Sequence, residues 1–162
     1  LGVAGRLGAT HARVVAGQAE ASAESVRLAA AHLAALAEFG RARGVRVITE
    51  NFGRLTKRAA TVLAILNAAG PDIGLCADFG NFSGSTKFAD LAAILPKATS
   101  IHAKAVAASD GSPDWPEFRS GLALAKAAGF SGPISLIHES PGDPWAALGR
   151  LKAEVESVLQ DR

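Results

Sequence analysis

The sequence has no methionine and a single cysteine, Cys76. One thiol excludes an intrachain disulfide and suits a reducing compartment, so a cytoplasmic location is expected. A chain with no methionine, not even at position 1, is expected to be a fragment or a processed piece. No run of apolar residues reaches the ~18 that a membrane span needs, and no membrane partner is expected. The first residues also lack the charged start, apolar run and cleavage site of a signal peptide. Excess charge of either sign is missing too: 17 Lys+Arg stand against 15 Asp+Glu, a net charge of only +2. The basic residues are scattered, apart from Arg41, Arg43 and Arg46, which read as a solvated helix end. That balance makes no electrostatic footprint for nucleic acid.

What is present is an ordinary globular composition. With 162 residues, 49% of them hydrophobic, the chain can bury a sizeable core, and it is read as one domain over 1–162. Short apolar runs alternate with longer helical patterns. Strands are expected over Ala12–Ala16, Val45–Glu50, Ile73–Asp78, Thr99–Lys104 and Ile134–Glu139. Helices are expected over Ser22–Phe39, from Thr56 to about Ala69, from Ser85 or Thr86 to before Pro96, over Pro116–Ala128, and from Asp143 to about Leu159. Gly40, Gly70 and Gly129 follow helices, Thr56 and Asp143 are cap residues, and Pro144 suits a first helical position. The strands are nearly continuous in apolar character, which predicts burial on both faces and a parallel sheet covered by helices.

The ionisable residues fall at particular places. Glu50 ends Val-Arg-Val-Ile-Thr-Glu, Asp78 ends Ile-Gly-Leu-Cys-Ala-Asp, His102 and Lys104 lie in Ser-Ile-His-Ala-Lys, and Glu139 ends Ile-Ser-Leu-Ile-His-Glu. Each is expected at the C-terminal end of its own strand, the catalytic edge of parallel α/β barrels. Three carboxylates gathered on one rim need a cation, because repulsion and desolvation would otherwise cost too much. Three oxygens and one imidazole nitrogen form a mostly hard ligand set. It suits one Mn²⁺, Mg²⁺ or Co²⁺ ion, and Zn²⁺ is also admissible.

The segments Glu50-Asn51-Phe52-Gly53, Asp78-Phe79-Gly80-Asn81-Phe82, His102-Ala103-Lys104 and Arg13-Val14-Val15-Ala16-Gly17, with the Glu139 strand end, resemble the xylose-isomerase-like sugar phosphate isomerase/epimerase superfamily. The resemblance implies a (β/α)8 TIM-barrel fold, of which this chain would hold the last five βα units. It also implies an N-terminally truncated protein that aggregates or stays molten on its own. It implies metal ligands at Glu50, Asp78, His102 and Glu139, with Glu50 and Glu139 also the acid/base pair. Lys104, Asn81 and Asn51 are the candidate substrate-binding residues, and Lys104 could equally serve to neutralise the carboxylate cluster. The implied activity is metal-dependent isomerisation or epimerisation of a sugar or sugar phosphate, by proton transfer through a cis-enediolate. Phe52 stands where the family often has His, and Asn81 where ketohexose epimerases carry His, so the resemblance names no particular sugar.

Three other readings stay open: a phosphodiesterase like endonuclease IV, a dehydratase of the inosose type, and a non-catalytic barrel fragment. Assembly with further copies of the chain also stays open. The remaining candidates have plainer explanations. His138 reads as a packing histidine, His11 as a loop residue before the first strand, His32 as a structural helix residue, and Cys76 as barrel filling. Trp115 and Trp145 could wall a sugar pocket or simply pack helices. The glycines of Gly2–Gly8 follow no strand and do not read as a phosphate loop.

Overall fold

The computed structural model describes residues 1–139 and 142–159. Among the described residues, five parallel strands lie in the order β1-β2-β3-β4-β5, with helices in the connections. Sequential parallel pairing with helical crossovers is the arrangement of a (β/α) barrel sheet, of which five strands are found here. The chain divides into two compact units, Leu1–Cys76 and Ala77–Arg162, with the boundary inside β3.

The first unit holds α1 (Gly2–Arg6), β1 (His11–Arg13), α2 (Ala23–Arg41), β2 (Arg46–Glu50), α3 (Ala59–Ala69) and the start of β3 (Gly74–Asp78). α2 begins where Ser22 and Ser25 form a reciprocal cap, each hydroxyl accepting from the other's backbone N–H. Its buried stripe of Ala29, Leu33 and Ala37 packs with Val47, Leu55, Ile65 and Ile73 into one core. Gly40 was expected to follow this helix, but it lies inside it. A Cβ there would come within 2.4 Å of the Val45 carbonyl oxygen, so the glycine permits the close return of the chain into β2.

Other expectations for this unit need correction. β1 is shorter than expected, although the Val14 N–H still donates to Ile48 O at 2.8 Å. His11 is the first residue of β1 and not a loop residue; its Nδ1 pairs with the Thr10 hydroxyl at 2.9 Å. Thr56 does not cap α3. Its hydroxyl donates to the Phe52 carbonyl at 2.8 Å, and the helix starts after Arg58. The local turn thus captured the hydroxyl that a cap would have used. The opening glycines form the short α1, which the sequence pattern did not suggest.

The second unit holds the end of β3, α4 (Lys87–Ile94), β4 (Ser100–Lys104), α5 (Trp115–Ala127), β5 (Ile134–Ile137) and α6 (Pro144–Leu159). Short 3-10 turns, Gly84–Thr86 and Leu95–Lys97, flank α4, and the α-helix stops before Pro96 as expected. Asp114 caps α5 by accepting from the Glu117 N–H at 2.9 Å, so this helix opens one residue earlier than expected. Asp143 accepts from the Trp145 N–H at 2.9 Å and Pro144 takes the first helical position. β4 pairs with β5 with His102 beside Ser135 and Lys104 beside Ile137. β4 also alternates: Ile101 and Ala103 are buried, while Ser100, His102 and Lys104 are half-buried. That departs from the expected continuous burial, and it gives β4 one polar face.

Candidate functional site

In the first unit the candidate residues gather at the end of β2. Val47, Ile48 and Thr49 bury the strand, and Glu50 at its end is only 1% exposed. An ionised carboxylate at such depth needs a compensating charge. Arg13, the last residue of β1, supplies one: its Nη1 donates to Glu50 Oε2. Arg13 aligns with Ile48 in the β1–β2 ladder, two residues short of Glu50 on the same strand face. Asn51 is buried beside Glu50, whereas Phe52 is an exposed large apolar side chain. Gly53 has φ +90°, and a Cβ there would sit 2.5 Å from Gln18 Nε2. The Gln18 Oε1 accepts from the Arg54 N–H at 3.1 Å, which ties the loop after β1 to the loop after β2.

In the second unit Asp78 closes β3. Its side chain is almost fully buried, and one oxygen, Oδ1, accepts from the Gly80 N–H at 2.7 Å. The other, Oδ2, faces His102 Nδ1 at 3.6 Å, longer than a normal hydrogen bond between these atoms. Burial raises the Asp78 carboxyl above the ordinary carboxylate range, and the nearby Glu139 charge adds to that. The Gly80 hydrogen bond and the charges of Lys104 and His102 oppose it. Lys104, on the polar face of β4 with His102, reaches Glu139 Oε2 at 2.5 Å. Its aliphatic stem fills the space above Gly80, where a Cβ would lie 2.7 Å from Lys104 Cδ. Asn81 follows, half-buried.

Glu139 itself differs from expectation in place. β5 ends at Ile137, so Glu139 stands two residues past the strand and its side chain is 60% exposed. Lys104 is paired with that exposed carboxylate. The second unit brings Asp78, His102, Lys104 and Glu139 into one electrostatic neighbourhood.

Two contributors went unassigned in the sequence. Arg13 appeared only within a motif, because the strand expected there ran on to Ala16 and did not place Arg13 at its end. The Gly80 N–H donor had no side-chain signal at all. Of the plainer candidates, Trp115 packs edge-on against Phe118 with ring centroids 6.1 Å apart, under the Arg150 guanidinium. Trp145 is exposed, and Cys76 is buried.

Two cavities frame the picture. One of about 230 Å³ opens beside Gly80 and is lined by Phe82, Lys87, Val106 and Glu117, with Lys87 Nζ donating to Glu117 Oε1 at 2.5 Å. Another, of about 300 Å³, lies at the start of β1 and β2, where Arg41 is paired with Asp72 at 2.7 Å. That is the edge of a barrel sheet usually given to stability, and none of the candidate residues lines it.

The donor chemistry in the second unit fits a divalent cation. A buried carboxylate whose charged form is disfavoured stands opposite an imidazole nitrogen. Neighbouring ligands of one cation lie roughly 3–3.4 Å apart when the metal–ligand bonds are ~2.1 Å. The observed 3.6 Å needs little adjustment to reach that spacing.

Comparison with solved structures gives the same fold. An L-ribulose 3-epimerase matches with a TM-score of 0.74 and 17% identity, over 98% of this chain and 65% of that one. A probable 3-DHS dehydratase from Bacillus anthracis, involved in petrobactin synthesis, matches with a TM-score of 0.69 and 18% identity, over 99% and 66%. A xylose isomerase-like TIM barrel protein from Mycobacterium smegmatis in complex with magnesium matches with a TM-score of 0.66 and 19% identity, over 98% and 63%. The chain thus spans less than two thirds of the length of each of these structures. No curated protein matches it. Residues 1–159 match the model of the xylose isomerase-like TIM barrel, and the chain belongs to that family.

Proposed function

We propose that the chain carries the metal-binding and proton-transfer residues of a sugar, or sugar phosphate, isomerase or epimerase. The proposed metal ligands are Glu50, Asp78, His102 and Glu139. The observation that carries this reading is the buried Asp78 carboxylate facing His102 Nδ1 at 3.6 Å, on successive strands of a xylose isomerase-like chain. Glu50 aligns with Cys76 in the β2–β3 ladder. Similarity to an L-ribulose epimerase and to a magnesium complex agrees with the reading. Mn²⁺, Mg²⁺ and Co²⁺ suit the ligand set best.

A divalent ion bound there would polarise a substrate carbonyl and the neighbouring hydroxyl. The chain's own residues would then move the proton. Glu50 or Glu139 removes it from the carbon bearing that hydroxyl, leaving a cis-enediolate. The other glutamate returns a proton to the opposite face for epimerisation, or to the adjacent carbon for isomerisation. Lys104 turns from Glu139 to a substrate oxygen when the glutamate is recruited. Asn51 and Asn81 hold further hydroxyls, and the cavity beside Gly80 gives the rest of the substrate room. The similarity to a probable dehydratase favours one second reading, in which the same proton removal is followed by loss of a hydroxyl.

The test is metal binding by the intact protein. Asp78→Ala and His102→Ala should each weaken Mn²⁺ or Co²⁺ binding at least tenfold by isothermal titration. Unchanged stoichiometry and affinity in both variants would remove the basis of the site. Incubation with ketoses in D₂O separates the two reactions: epimerisation leaves deuterium on the carbon next to the carbonyl, whereas dehydration yields an unsaturated ketone absorbing in the ultraviolet.

A further inference from the structure

Glu50 is buried at the end of β2, and the cation that reaches it is an arginine of the neighbouring strand. We infer that Arg13 is the resident cation of Glu50 and competes with the metal ion for its carboxylate. This rests on the reading of Glu50 as a metal ligand.

The pair is asymmetric. Glu50 is 1% exposed and fixed at the end of a buried strand, whereas the Arg13 side chain is 45% exposed. The anion cannot leave, but the guanidinium can swing into water with little loss of hydration. Arg13 Nη1 donates to Glu50 Oε2, and an ion taking up that oxygen meets a positive group already seated on it. An ion that takes up Oε2 therefore displaces Arg13, and Arg13 lowers the affinity. In the ion's absence it compensates the charge of a buried carboxylate. The second unit repeats the arrangement with Lys104 on Glu139, but there the carboxylate is 60% exposed, so water screens the pair and the competition is weaker.

The experiment compares wild type, Arg13→Gln and Arg13→Lys of the intact protein by Mn²⁺ titration, followed calorimetrically and by the Mn²⁺ electron paramagnetic resonance signal. Arg13→Gln removes the charge and should tighten Mn²⁺ binding about tenfold, within the usual range of coupling between linked sites. Arg13→Lys keeps a charge but loses the planar fork, and should tighten binding by a smaller factor, roughly threefold. Without metal, Arg13→Gln should melt below wild type, and Mn²⁺ should raise its Tm by more than it raises that of wild type. Equal or weaker Mn²⁺ binding in Arg13→Gln would overturn the inference and make Arg13 a residue that orients Glu50 for the ion. If Arg13→Gln does not fold, Arg13→Lys decides by the same criterion. Mn²⁺ binding by neither wild type nor variants would instead sink the metal reading, and this inference with it.

Discussion

Glu50 and Glu139 are chemically alike but sit in opposite surroundings, one buried against Arg13 and the other exposed against Lys104. In the proposed reaction both move protons, and each must do so from an oxygen not committed to a cation, because a bound cation lowers a carboxylate's basicity. Glu→Gln preserves shape and one ligating oxygen while removing the base. Glu50→Gln and Glu139→Gln, each measured at saturating metal, should lose roughly 10² or more in kcat. Near-wild-type turnover in either variant would strip that residue of its role and leave it a ligand or a salt-bridge partner. Gly80 adds a third test at this scale. Gly80→Ala would drive a methyl group into the Lys104 stem, and should displace Lys104 from Glu139 while leaving the strands intact. A changed KM with an unchanged far-ultraviolet circular dichroism spectrum is the expected signature.

At the scale of elements, the glycines of α2 and α6 make opposite predictions. A Cβ at Gly40 meets the Val45 carbonyl oxygen at 2.4 Å, a backbone atom that cannot move without shifting β2. Gly40→Ala should therefore destabilise by about 1–3 kcal/mol. Gly149 lies inside exposed α6 with nothing within 4 Å of its missing Cβ. There the helix propensity of alanine should prevail, and Gly149→Ala should stabilise by about 0.5–1 kcal/mol. Urea unfolding of both variants beside wild type checks the pair, and equal effects would contradict it.

Helices α5 and α6 are joined by a fork: Arg119 donates through Nε and Nη2 to the two oxygens of Glu154, both at 2.6 Å. Those hydrogen bonds hold the Glu154 carboxyl below its ordinary value. The native state then binds fewer protons at this group than the unfolded chain does. The stabilisation is complete above the ordinary glutamate value, ~4.3, and fades as pH falls through the depressed one. Glu154→Gln should lower Tm on the order of 1–3 °C at pH 7, and the gap to wild type should close on acidification below pH ~4. A gap that persists at low pH would mean that packing, not the ion pair, carries the effect.

For the whole molecule, ligand linkage gives the most direct measurement. An ion that binds the native state and not the unfolded chain stabilises by about 2.7 kcal/mol at a hundredfold excess over its Kd. For a chain of this size that corresponds to roughly 5–10 °C in Tm. Removal of metal with EDTA should lower the Tm by that order, and Mn²⁺ should restore it. The restoration should fail in His102→Ala. A Tm indifferent to chelator and metal alike would argue for the non-catalytic reading of the barrel.

The sequence by itself determined the order and type of the strands and of the longer helices. Apolar strands closed by Glu50 and Asp78, and helices bounded by Ser22, Asp143 and Gly70, are local features, written in near-neighbour residues and their caps. The same local signals placed His102 and Lys104 on one face of β4, because a strand's period of two is fixed by its backbone. Its errors were also local in kind. Thr56 had two possible hydrogen-bond partners close in sequence, and Gly40 could equally end a helix or sit within one. Only the tertiary structure decided which charges meet. Arg13 and Glu50 are 37 residues apart, and Lys104 reaches a Glu139 that stands beyond its strand. Ion pairs of that span depend on strand register and on how deeply each carboxylate is buried. Those are properties of the packed sheet, and no stretch of the sequence holds them by itself.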